Sequence, residues 1–335
     1  MIKMLNEKQP LVSIGVPVFN GEKRLAVALD SLLNQDYPFF EIIISDNGST
    51  DSTPDICRDY VNKDPRVKYF RSEKNCGFTW NFNRVFELSS GEYFMWAAHD
   101  DNRAPTFVSE CVRSMEKRPD AVLCHVYTVT FIEGQKDALY YSSLDTFEKV
   151  SVLIGRYRET LKHFPMTAIY GLYRSSSMRK THMFEKSMAT DLAFIQELSI
   201  YGSFIQVHKE LFTYLGRYKW NTVNQDFQFS FGKGCKPSWC FPFIALFFNH
   251  WGRISAAPVS FFTKLYLWVV LIQYQAAQVS IKVLIKIAGL FCPKRWKVKF
   301  ASAIYRRWLH NPNIKVVSEQ LFLERIIKPR IGWWK

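Results

Sequence analysis

Glu41-Ile42-Ile43-Ile44-Ser45-Asp46-Asn47-Gly48-Ser49-Thr50-Asp51 is the stretch that decides the fold of this chain. The apolar run reads as a buried strand, and the Asn-Gly pair that follows is turn chemistry. Ser52 to Tyr60 then reads as a helix, with Asp51 or Ser52 as its cap and Pro54 in its first turn. A carboxylate, Asp46, therefore stands at the C-terminal end of a buried strand beside a glycine turn. In open α/β sheets ligands bind outside the carboxyl ends of the strands. This suggests a nucleotide or phosphate site, although an acidic turn standing alone serves equally well as a helix cap.

Outward from this unit the pattern repeats. Leu11 to Pro17 reads as a buried strand, and Lys23 to Leu33 as an amphipathic helix with Leu25, Ala28, Leu29 and Leu32 on one face. Val67 to Phe70 is a third strand, Thr79 to Leu88 a helix, and Tyr93 to Trp96 a fourth strand running into His99-Asp100-Asp101. Pro105 to Lys117 is helical and Ala121 to Phe131 a long strand. Repeated β-α units of this length predict a mainly parallel sheet covered on both faces. Residues 135 to 165 give no clear period. Beyond them come a strand over Ala168 to Tyr173, a helix over Met188 to Tyr201 and a short strand over Ser203 to Val207.

The C-terminal third is aromatic, basic and helical in pattern. Residues 201 to 335 hold 20 Lys and Arg against Glu210, Asp226, Glu319 and Glu324, a net of +16, which leaves −2 for residues 1 to 200 out of the total of +14. The asymmetry points to an anionic surface as partner. Between Pro258 and Pro293 an apolar helix carries Lys264, Gln275, Gln278, Lys282 and Lys286 on one side. Three glutamines interrupt it, and it falls short of the ~20 clean apolar residues of a span. It is expected to lie in a membrane interface with Leu267, Val270, Leu271 and Leu284 towards the acyl region; packing on its own domain or a homodimer contact is the other use. The polar N-terminus lacks a signal-peptide core, and seven scattered cysteines suggest neither a disulfide framework nor a zinc site. A reducing cytoplasm fits.

Four polar stations sit at strand ends: Pro17-Val18-Phe19-Asn20, Asp46, Asn75-Cys76-Gly77 and His99-Asp100-Asp101. Together with Gln35-Asp36-Tyr37-Pro38 and Gly91-Glu92-Tyr93, their order over about 120 residues resembles the family 2 glycosyltransferases. The resemblance implies an α/β GT-A fold, Rossmann-like with a mainly parallel central sheet, over residues 1–215. Residues 1–130 would form the nucleotide-sugar half and 131–215 the acceptor half, with a helical basic region over 216–335. It further implies an inverting transferase that takes a nucleotide-diphospho-sugar to a glycan or lipid-linked glycan acceptor, as in surface polysaccharide assembly. Such an enzyme would be cytoplasmic and peripheral on the inner face of the cell membrane, with no nucleic-acid partner.

By position, Asp46 would meet the base, Pro17, Val18, Phe19, Asn20 and Glu22 would line the nucleoside, and Asn75 and Gly77 would complete the donor site. Asp100 and Asp101, with His99 as a supplementary ligand, would hold Mn²⁺ or Mg²⁺ on the diphosphate, since hard cations take carboxylate oxygens. The family's usual metal motif carries an Asp where this chain has Ala98. Asp191, in the first turn of its helix, would be the general base, and Arg174 an acceptor-side contact. Two alternatives carry less of the pattern. A nucleotidyltransferase would want a better triphosphate loop than Phe19 to Arg24, and a non-enzymatic binder of membrane or nucleic acid leaves the ordered acidic stations unexplained.

Overall fold

The computed structural model describes residues 9–132, 137–187, 189–216, 241–291 and 314–316, with backbone alone at 139, 241–245, 277–291 and 314–316. Its centre is a ten-stranded sheet. The first strands are β1 (Val12–Val18), β2 (Phe40–Asp46), β3 (Val67–Arg71) and β4 (Tyr93–Trp96). They are parallel, in the order β4-β1-β2-β3. The crossovers between them are α1 (Leu25–Leu33), α2 (Thr53–Lys63) and α3 (Phe78–Glu87). β1 and β2 are buried at every residue, as expected of strands covered on both faces. One consequence governs the rest: parallel strands deliver all their C-terminal ends to the same side.

Past β4 the chain forms β5 (Asn102–Arg103), α4 (Phe107–Glu116) and the long β6 (Ala121–Ile132). The segment without a clear sequence period folds as β7 (Ala138–Ser142), α5 (Asp145–Glu148) and α6 (Leu153–His163). The strand expected over Ala168 to Tyr173 is instead a 3₁₀ turn, Met166–Tyr170, followed by β8 (Leu172–Arg174). β8 is antiparallel to both β4 and β6. After α7 (Ser175–Met178) and α8 (Thr190–Tyr201) comes β9 (Ser203–Gly216), 14 residues where the sequence predicts a short strand ending at Val207. The exposed His208-Lys209-Glu210 hides its continuity in the sequence, and these residues lie where the β6–β9 register shifts. β9 runs parallel to β6 and also pairs with β5, so it returns the chain to the segment just past Asp100.

The Gln35-Asp36-Tyr37-Pro38 segment is a clip. Gln35 Nε2 donates to Ala104 O, its Oε1 accepts the Val108 amide at the start of α4, and Tyr37 OH donates to Pro10 O.

The described residues of the basic region form α9 (Phe241–Ala256), α10 (Phe261–Phe291) and a strand, β10 (Ile314–Val316), at the sheet edge beside β7. The orientation expected for α10 is corrected here. Leu267, Val270 and Leu271 are buried in a cluster with Tyr157, Leu161 and Ile200, and Lys264 Nζ donates to Ser255 O. The exposed face carries Phe261, Phe262, Leu265, Tyr266, Val269 and Ile272. The helix is apolar on both sides, so sequence phase could not say which side would be covered by the catalytic half. The side chains of Lys282, Leu284 and Lys286 lie outside the described residues. Among the described residues no helix is long and apolar enough to cross a membrane.

Candidate active site

The turn after β2 is organised by Asp46. Its side chain is fully buried; Oδ1 accepts the Ser49 amide at 2.8 Å and Oδ2 accepts Tyr69 OH at 2.9 Å, with Arg71 Nε at 3.3 Å. Burial and the neighbouring Asp46 charge push the Tyr69 phenol up, keeping it a proton donor. Gly48 has φ +74° and would place a Cβ 2.8 Å from the Lys74 backbone, so the turn needs glycine. Asp46 thus serves the turn as its internal acceptor.

The other stations are stitched to this turn. Asn20 has φ +53°, a left-handed conformation that Asn tolerates better than most residues. Its amide donates to Ser49 Oγ at 2.9 Å, and its Oδ1 accepts the Thr50 amide at 2.9 Å. Gly21 N donates to Thr53 Oγ1. Glu22 N donates to Asp51 Oδ2, and Glu22 Oε2 accepts the Ser52 amide. Burial would raise the Asp51 carboxyl, but the hydroxyl and amide of Thr53 and the amide of Glu22 hold it below its usual range. Asn47 joins the third station: its Nδ2 donates to Asn75 Oδ1 and Gly77 O, and its Oδ1 accepts the Cys76 amide. Buried Asn81 ties the ends of β1 and β2 together through Val18 O, Ser45 O and Ser45 Oγ. Val18 and Pro17 close the end of β1, and Phe19 stands exposed beside them.

A cleft of about 390 Å³ opens between the first and fourth stations, lined by Asn20, Glu22, Lys23, Arg24, Asp51, His99, Asp100 and Leu215 among others. His99 packs on the Gly21 backbone, where a Cβ would approach its ring to 3.0 Å. Lys23 and Arg24, weighed in the sequence only as part of a poor triphosphate loop, bring positive charge to the rim. Asp101 does not reach the cleft. It is buried, with Oδ1 accepting the Leu215 amide at 3.0 Å. Burial and the Asp100 charge push its carboxyl up to about 7, against the Leu215 amide and the buried Arg103. The β5–β9 pairing that follows directly turns it inward. Of the expected metal carboxylates, Asp100 alone lines the space, and among the described residues no group of three or more His, Cys, Asp or Glu could hold an ion by itself.

On the acceptor side Asp191 lies in the first turn of α8, its Oδ1 accepting the Leu192 amide. Ala189 just before it has φ +50°, a conformation costly for a residue with a Cβ. Tyr170, which sequence reasoning missed, joins the two sides. Its hydroxyl is raised by burial first, then by Tyr214, Asp101, Asp100 and Asp191. The phenol thus feels the charge of the donor-side carboxylates and of Asp191. Arg174 is elsewhere. It pairs in register with Tyr93 at the opposite end of β4, and its guanidinium donates to Ala121 O and Met115 O. The antiparallel sense of β8 carries it to the end of the sheet away from the cleft.

Comparison with known proteins accords with this geometry. The chain is 28% identical over 216 residues to an uncharacterized glycosyltransferase of Rickettsia typhi, with 62% of each chain covered. It is 27% identical over 211 residues to a GalNAc(5)-diNAcBac-PP-undecaprenol beta-1,3-glucosyltransferase of Campylobacter jejuni, again with 62% of each covered. The matches thus span about three fifths of these relatives' length. The fold is similar to that of S. aureus TarS 1–349 in complex with UDP-GlcNAc, with a TM-score of 0.59 and 16% identity over 90% of this chain and 82% of that one. This agrees with the GT-A architecture expected from the sequence. Residues 13–185, more than half of the chain, match the family described as glycosyl transferase family 2, and the chain belongs to that family.

Proposed function

We propose that the protein is an inverting glycosyltransferase that moves a sugar from a nucleotide-diphospho-sugar onto a glycan acceptor, lipid-linked, in the assembly of a surface polysaccharide. The observation that carries this reading is Asp100 lining a cleft with Asn20, Lys23, Arg24 and Asp51 beyond the C-terminal ends of the parallel strands β1 and β4. The lipid-linked acceptor rests on the Campylobacter jejuni relative, whose name describes one.

In this reading the Asn20–Glu22 turn and the Asn75–Gly77 rim hold the nucleoside, while Asp46 keeps the turn beneath it in shape. Lys23 and Arg24 lie where negative charge on a diphosphate would be favoured. Asp100 would hold Mg²⁺ or Mn²⁺, and its hard oxygen donors fit such an ion, because bridging cations commonly take one or two carboxylates and complete their shell with phosphate and water. When bound, the metal neutralises charge on the departing diphosphate. Asp191 takes the proton of the acceptor hydroxyl as that oxygen attacks the anomeric carbon. The bond from that carbon to the diphosphate oxygen breaks, the pair of electrons leaving with the nucleoside diphosphate, and the configuration inverts. The test is release of the nucleotide, a diphosphate from UDP-, GDP- and dTDP-sugars or CMP from CMP-sugars, with and without Mn²⁺; release from CMP-sugars alone would overturn the diphospho-sugar donor. No release above hydrolysis from any donor, with a lipid-linked acceptor supplied, would overturn the reading.

Residues 1–215 would make the transferase unit and the basic region its membrane contact, on the inner face of the cell membrane. The exposed face of α10, with Phe261, Phe262, Leu265, Tyr266 and Val269, is apolar and belongs to a region of net +16. Phe261→Glu with Phe262→Glu should release the protein from phosphatidylglycerol vesicles; unchanged vesicle binding would leave that face as a protein contact.

A further inference from the structure

Arg253, on α9, is almost wholly enclosed, and its side chain reaches out of the basic region into the transferase half. Nη1 donates to Glu197 Oε2 at 2.5 Å, and Nη2 donates to Glu185 Oε2 at 2.8 Å and to Met183 O at 2.9 Å. Nε donates to Asn249 Oδ1 at 2.9 Å, and Asn249 in turn donates to Glu185 Oε2. Glu197, equally enclosed on α8, also accepts the amide and Nδ1 of His182. One guanidinium thus holds both ends of the 182–185 turn against α8 and α9.

That turn leads directly to Asp191. Glu185 N donates to Thr190 Oγ1, and Thr190 is the first residue of α8, immediately before Asp191. The turn is pinned on its other side by Asn83 of α3, which exchanges two hydrogen bonds with Phe184. Two of the three non-glycine residues with positive φ among the described residues flank this path, Met183 at +52° and Ala189 at +50°. Neither residue is of a type that favours the left-handed region, so the conformation persists only if its surroundings over-determine it. The Arg253 bond to Met183 O and the Glu185 bond to Thr190 are the direct constraints on it.

We infer that Arg253 is a positioning residue for the transfer reaction: it fixes the turn that aims Asp191, which makes α9 part of the catalytic apparatus and not only of a membrane-facing tail. The inference rests on the reading of Asp191 as general base. Arginine suits this place because its planar fork satisfies several oxygens at fixed angles, which a lysine ammonium cannot do. A misplacement of a catalytic group by about 1 Å costs on the order of 100-fold in rate.

The experiment is a double-mutant cycle on the full chain. Arg253→Lys keeps the charge between Glu197 and Glu185 but loses the fork. Glu185→Gln, at a half-exposed position, weakens the same turn without leaving a buried charge and carries the test if Arg253→Lys does not fold. Each should lower kcat about 10- to 100-fold, with affinity for the nucleoside diphosphate unchanged within about twofold by calorimetry. In an Asp191→Asn background the same substitution should cost almost nothing further, because the group it aims has already been disabled. If the two losses multiply, or if Arg253→Lys and Glu185→Gln both retain full kcat, Arg253 is only structural and the inference fails. Full turnover in Asp191→Asn alone sinks the general-base reading instead, and the cycle separates the two failures.

Discussion

Glu41 and Asp46 stand at opposite ends of one strand, both buried, and they face opposite conditions. At the N-terminal end Glu41 accepts from Ser13 Oγ, Lys68 Nζ, and the amide and hydroxyl of Ser90. Burial alone would raise its carboxyl, but Lys68, Ser13 and Ser90 together hold it at about 2. Ser13 Oγ also accepts the Gly91 amide, so this end joins β1, β2, β3 and the entry to β4 into one satisfied knot. At the C-terminal end Asp51 and Asp100 line a cleft, with Asp46 and Asp101 buried behind it, and burial together with the Asp100 charge raises Asp101. Carboxylates at one end are dispersed and paired; at the other they are concentrated. A fold gains nothing from concentrating like charges, so such clusters mark where a ligand's charge has to be met.

The two ends should therefore respond oppositely to loss of a carboxylate. Asp100→Ala should reduce transfer to background while the melting temperature holds or rises slightly, because the change relieves repulsion on Asp101. Transfer assays and calorimetric melting check both, and near-normal turnover would end the metal-anchor assignment. Asp191→Asn should lower turnover by about 10²–10⁴, the worth of a general base, with donor affinity nearly constant. Stopped-flow or steady-state turnover against calorimetric binding separates the two quantities.

The active end was legible in the sequence, and the reasons are local. Asp46, Asn20, Asn75 and Asp100 each follow an apolar run at a strand end, and parallel topology brings such ends together without further information. The roles of Asp101 and Arg174 were not legible. Asp101 is adjacent to Asp100, yet the β5–β9 pairing, which joins residues more than 100 apart, turns it inward. Arg174 follows a strand, but β8 is antiparallel, so the same cue indicates the wrong end of the sheet. The surroundings of Tyr170 and Arg253 are made by residues distant in sequence, and nothing in their own segments announces them. The exposed face of α10 could not be chosen for a similar reason: both faces are apolar, and only packing on α6 and α8 decides.

Glu41→Gln sharpens the comparison from the structural end. The folded carboxyl lies at about 2 against 4.5 unperturbed. A depressed folded value contributes stability that is present above the unfolded value and lost as pH falls through the folded one. Lys68 is half-exposed, so the contribution is about 2 kcal/mol once solvent screening is allowed for. Urea unfolding should show wild type more stable than Glu41→Gln by that amount at pH 7. The gap should narrow steadily between pH 4.5 and pH 2, while turnover at pH 7 stays within about twofold. A gap independent of pH would mean that packing, and not ionisation, carries the effect.

Arg174→Ala is the smallest expected effect and the sharpest check on which end is which. The guanidinium lies over the Tyr93 ring and donates to the carbonyls that end α4 and begin β6. Removing it leaves two carbonyl acceptors short of a partner, and with Arg174 half-buried water can replace part of what is lost. The cost should be about 1 kcal/mol of stability, the net worth of a bond or two of this kind. Affinity for acceptor and donor should be unchanged, because Arg174 pairs with Tyr93 at the start of β4 while Asp100 follows its far end. A KM for acceptor raised tenfold or more in Arg174→Ala, at unchanged stability, would place acceptor binding at the N-terminal end of the sheet and undo the division between the two ends.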